Sequence, residues 1–125
     1  MWIFLNNAFL SIVVDNNKRT GLIVRARVKG DIERVFPGVK VIKTPKRDYL
    51  FRAFVDREIV ANAISEAVLD ISYDNFKDSV KETRRKQNYS RVWWEMSNIQ
   101  SNNRRQHVKK ANLFQDRVPH HFDAK

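Results

Sequence analysis

The sequence predicts an α+β domain in which an antiparallel sheet of about four strands carries helices on one face. Three observations predict it. Segments alternating with period two come in pairs, 8–15 with 22–28 and 39–44 with 49–55. Each pair is followed by a segment that helical spacing or helix-ending residues mark as helix. The 125 residues are 42% hydrophobic and 11% aromatic, enough apolar side chain for a single core.

The opening MWIFLNNAFLSIVV is apolar, but Asn6 and Asn7 interrupt it and it has no basic start. It also falls short of the roughly 20 residues a bilayer span needs. It is therefore read as strand, with neither export nor membrane insertion expected and residues 2–5 an early part of the first strand. From Ala8 to Asp15, Leu10, Ile12 and Val14 point one way and Phe9, Ser11 and Val13 the other. The turn-rich DNNKRTG leads into LIVRARV at 22–28, which completes a hairpin.

Asp31 is placed to N-cap a helix of barely two turns, IERVF, which Pro37-Gly38 ends. A second pair follows: VKVIKT at 39–44, a turn at PKRD, and YLFRAFV at 49–55 with Tyr49, Phe51, Ala53 and Val55 on one face. Asp56 can cap the next helix, in which Val60, Ile64, Ala67, Val68 and Ile71 recur at helical spacing. After a break at 72–75, with Asp74 or Asn75 placed as a cap, residues 76–99 read as one long helix or two shorter ones. Residues 1–100 are thus read as one domain, and 101–125, which lack a sustained period, as a basic, flexible tail. The element order is that of a ferredoxin-like fold permuted so that the first strand replaces the last. That arrangement sets 22–28 beside 49–55 at the centre of the sheet.

With 24 Lys and Arg against 14 Asp and Glu, the formal charge is +10, a field that attracts polyanions. The surplus is uneven: positions 81 to 125 hold 11 basic and 4 acidic residues, leaving the preceding body nearly balanced. Chemistry is sparsely signalled. The absence of cysteine excludes disulfides and thiolate sites and fits a reduced cytoplasm. Glycine occurs only at 21, 30 and 38, so no phosphate loop is present and no cofactor is implied. The scattered acids Asp48, Asp70, Asp74 and Asp78 form no dyad by spacing. His107, His120 and His121 beside Asp123 do not make a closed metal site. The expectation is a non-enzymatic protein.

Two surfaces emerge as candidates. Burying Leu22, Val24, Ala26 and Val28 puts Arg25 and Arg27 on the opposite face, and burying Tyr49, Phe51, Ala53 and Val55 puts Leu50, Arg52 and Phe54 there too. Arginines can hold phosphates while Phe54 stacks a base, as sheet-based RNA binders do. The alternative is that the C-terminal helix covers this face, Trp93 or Trp94 lying on the arginine stems. The run 49–55 has a passing likeness to the aromatic strand of RNA-recognition motifs, departing from it in lacking glycines and a second aromatic strand. The second surface is a basic ridge of Lys81, Arg84, Arg85, Lys86 and Arg91, extended by Arg104, Arg105, Lys109 and Lys110. Together these predict a partner that is nucleic acid or a nucleoprotein. A protein-interaction role, docking on a host complex through exposed Trp93 and Trp94, is the alternative.

Met1-Trp2-Ile3-Phe4, Val24-Arg25-Ala26-Arg27, Phe36-Pro37, Asp48-Tyr49 with Arg52, and Tyr73-Asp74-Asn75-Phe76-Lys77 together resemble a widespread family of short, uncharacterised bacterial proteins. The resemblance covers residues 1–100 and implies a bacterial or phage setting, with no activity attached. Residues 101–125 depart from it, since its members usually end soon after the position of Gln100.

Overall fold

The computed structural model describes residues 1–100, and the chain divides into two compact units, Met1–Asp74 and a second beginning at Asn75. In the first, β1 (Trp2–Leu5), β2 (Ala8–Val14), β3 (Gly21–Ala26), β4 (Ile42–Lys43) and β5 (Phe51–Asp56) form an antiparallel sheet in the order β1-β2-β3-β5-β4. Helices α1 (Asp31–Val35) and α2 (Arg57–Leu69) accompany it. The second unit contains α3 (Phe76–Ser79) and α4 (Thr83–Ser97). The protein is therefore α+β, and β2-β3-β5-β4 is the strand order the permuted ferredoxin-like arrangement requires.

Alternation along the strands builds the core. Leu10 and Ile12, Val24 and Ala26, and Ala53 and Val55 share one face and close against Ile32, Phe36 and Val60 from the two helical segments. Fully burying a side chain such as Leu10, Val24 or Ile32 is worth about 1.5–3 kcal/mol, so this face holds the sheet and helices together.

Several expectations are corrected. Residues 2–5 are a separate strand, because Asn6-Asn7 turn the chain and Leu5 pairs with Ala8. The expected strand 39–44 shrinks to Ile42–Lys43, an edge of the sheet, while Val39 and Val41 pack partly buried against the core. Asp31 is not a cap. Gly30 takes the N-cap in the left-handed region, at φ 96°, and Asp31 is the first helical residue, fully buried. Its carboxylate accepts from the Phe9 N–H at 3.0 Å and from Arg34 at 3.4 Å, tying α1 to β2. Asp56 occupies the N-cap of α2 but spends its carboxylate on Lys18 at 3.0 Å. Of the apolar repeat on α2 only Val60 is buried; Val68 and Ile71 are exposed. The stretch 76–99 is two helices, and Asn75 caps the first by accepting from the Asp78 N–H at 3.1 Å.

Candidate nucleic-acid interface

The ladder register decides which residues meet on the second face of the sheet. Trp2 pairs with Ser11, Ser11 with Arg25, Arg25 with Arg52, and Arg52 with Ile42. Directly paired residues project to the same side, so these five make one row across all five strands. The next row carries Val13, Ile23 and Phe54. On the other side of the row Phe9 pairs with Phe4, their rings 4.7 Å apart, and Trp2 meets Phe9 edge-on at 6.2 Å. The predicted Arg25, Arg52 and Phe54 are thus brought together, with Arg27 just past the end of β3.

Like charges placed directly opposite each other across strands repel, and three features hold the arginine pair in place. Arg25 donates to the Ser11 hydroxyl. Arg52 lies 3.5 Å from the Asp48 carboxylate. Tyr49 is buried, with the guanidinium carbons of Arg25 and Arg27 at 4.6 and 4.2 Å from its ring centroid, within cation–π range. Sequence alternation had placed Tyr49 on the core face with Phe51. The structure corrects this: β5 begins only at Phe51, so Tyr49 lies outside the pleat and its ring joins the arginines. Asp48 builds the turn that presents Tyr49, its carboxylate accepting from the Tyr49 N–H at 2.8 Å and its carbonyl from Arg27 at 2.8 Å.

Positive charge is in excess around Arg52. Burial, then the nearby charges of Arg47 and Arg25, push the Arg52 guanidinium below its ordinary pKa, and Asp48 opposes the shift. The Nε–H groups of both Arg25 and Arg52 are buried and make no hydrogen bond among the described residues. Phe54 in the next row and Trp2 at the β1 end of the row, by contrast, stand 52% and 66% exposed.

The basic ridge predicted on the second unit is only partly formed. Arg85 is buried, its Nε donating to Glu82 at 2.6 Å and Nη1 to the Tyr89 hydroxyl at 3.3 Å, so it is a structural residue of α4. Neighbours on a helix point about 100° apart, which leaves Arg84 exposed while Arg85 turns inward. Lys86 pairs with Asp78 at 3.8 Å, and Lys81 and Arg91 are exposed. Trp93 and Trp94, expected to be exposed, are both half-buried, and Lys77 Nζ sits 4.2 Å above the Trp93 ring. Arg104, Arg105, Lys109, Lys110 and the three histidines lie outside the described residues. Among the described residues no group of three or more His, Asp or Glu side chains gathers to hold a metal ion, and no helix is long and apolar enough to cross a membrane.

Sequence reasoning missed Trp2, Ser11, Tyr49 and Asp48 as members of this face. The alternation of 8–15 already placed Ser11 there, but a strand at 2–5 paired in register was needed to bring Trp2 in. The fold and this face define an α+β sheet domain with a basic, aromatic surface. Comparison with family models, with curated proteins and with solved structures finds no match.

Proposed function

We propose that this chain is a non-enzymatic binding module that contacts nucleic acid or a nucleoprotein, using Arg25, Arg27 and Arg52 together with the exposed basic residues that follow position 80. The observation that carries the reading is the charge imbalance of the second sheet face. Arg25, Arg27 and Arg47 gather around Arg52 and Tyr49, and Asp48, 3.5 Å from Arg52, is the only acid paired with any of the four among the described residues. A polyanion supplies the missing negative charge without a dedicated carboxylate for each guanidinium, and arginine's fork suits phosphate oxygens. The resemblance of residues 1–100 to short bacterial proteins supports a bacterial or phage setting for this activity.

Anisotropy titration of labelled RNA and DNA, at salt concentrations of about 50 and 200 mM, tests the reading. Affinity should fall steeply with salt, because phosphate contacts release counterions. Lack of binding to every nucleic acid at the lower salt would overturn it. Truncation after Gln100 should weaken binding in proportion to the charge removed, and unchanged affinity would assign the contact to residues before that point.

A further inference from the structure

Resting on the polyanion reading, the geometry points to a single-stranded nucleic acid as the ligand of the second sheet face. Trp2 and Phe54 form its stacking platforms, exposed Arg27 at the end of β3 contacts its phosphates, and half-buried Arg25 with buried Arg52 adds positive potential beneath the strand. Trp2 is a binding residue in this arrangement, a role that nothing in its sequence neighbourhood indicates.

Three observations converge on it. Trp2 and Phe54 lie on the same face as Arg25 and Arg52, fixed there by continuous strand register rather than by loops. Both rings are more than half exposed, whereas Phe4 and Phe9 on the same face are half-buried. Trp2 is also anchored in the ladder, since Met1 and Ile12 exchange backbone hydrogen bonds of 2.8 Å in both directions. At about 4.8 Å per strand, Trp2 stands about 14 Å from Arg52 across the sheet, and Phe54 is two residues further along β5, about 7 Å. That span takes in several nucleotides, with the arginine row beneath the intervening backbone.

The same geometry disfavours a duplex. Paired bases bury their π-faces in the stack and show only their edges in the grooves, so exposed rings on a sheet have nothing to stack on. A major groove about 12 Å wide admits a helix or a two-stranded ribbon, and a five-stranded face is wider than either. An acidic peptide would satisfy the arginines but would leave Trp2 and Phe54 without planar partners.

The test uses the full chain with a 5′-labelled strand of about 12 nucleotides, as RNA and as DNA, its duplex, and an acidic peptide of equal charge. The single strands should bind at least about tenfold more tightly than duplex or peptide at equal salt. Trp2→Ala and Phe54→Ala should each weaken single-strand binding about tenfold, the scale of one lost stack, without changing the salt slope. Arg27→Gln should lower affinity and reduce the slope. Both aromatic side chains are exposed, so their removal leaves the core intact, which a thermal melt by circular dichroism checks. Equal binding of duplex, or of the peptide, would overturn the inference, as would single-strand binding that is indifferent to both aromatic substitutions. In the duplex case, or if salt-dependent binding persists in both aromatic variants, the polyanion reading stands; absence of binding to any nucleic acid would remove both.

Discussion

The second sheet face and the first turns of α4 each bury an arginine to 8% exposure, Arg52 in one and Arg85 in the other, yet they treat the guanidinium differently. Arg85 has close partners on its own helix segment: Glu82 accepts from its Nε at 2.6 Å, and the Tyr89 hydroxyl from its Nη1 at 3.3 Å. Arg52 has a looser carboxylate at 3.5 Å, a second arginine directly opposite, a third close enough to depress its pKa, and an Nε–H with no bond among the described residues. A buried cation with satisfied donors is a structural element, while one with donors in excess and like charges around it costs stability until an anion arrives. The difference is what the proposed binding role of the sheet arginines rests on.

Substitutions can break or sharpen this contrast. The largest effect belongs to neither arginine: Leu10→Ala, in the core face of the same strands, should cost about 2–5 kcal/mol in urea unfolding. A loss under about 1 kcal/mol would mean that this face does not hold the sheet to its helices. Arg85→Met should come next, losing about 1–3 kcal/mol, because it removes the buried guanidinium's bonds to Glu82 and to the Tyr89 hydroxyl. Asp48→Asn should cost about 1 kcal/mol or less, since this carboxylate is exposed and 3.5 Å from Arg52, and Asn still accepts from the Tyr49 N–H. Its clearer effect is on binding, where loss of the one negative charge should raise affinity for nucleic acid several-fold in the salt titration. Arg52→Met should change stability least, within about 0.5 kcal/mol of the parent, as relief of repulsion offsets the lost contact with Asp48. It should nevertheless weaken nucleic-acid binding, and a stability loss as large as that of Arg85→Met would erase the distinction between the two sites.

How much of this was readable in advance follows from the range of each interaction. Strand alternation is local, so the placement of Leu10, Ile12, Val24, Ala26, Ala53 and Val55 on one face and Arg25, Arg52 and Phe54 on the other is visible in the chain. Helix capping is nearly local. Asn75 was recognisable as a cap, but Asp31 was misread because it is fully buried and a partner 22 residues away, the Phe9 N–H, claims its carboxylate. Tyr49 was misplaced for a related reason: period two holds only inside a strand, and the strand starts two residues later. The basic ridge on α4 was overcounted because charge spacing does not reveal that Glu82 and Tyr89 turn Arg85 inward.

By itself, then, the sequence determined the α+β class, the central pairing of 22–28 with 49–55, and the two-faced character of those strands, because each follows from short-range periodicity and turn residues. Only the tertiary structure decided that Trp2 shares a row with the arginines, that Tyr49 packs against two of them, and that Asp48 is their one carboxylate among the described residues. Those facts depend on register between strands distant in the chain, where a shift of one residue would send every side chain to the other face.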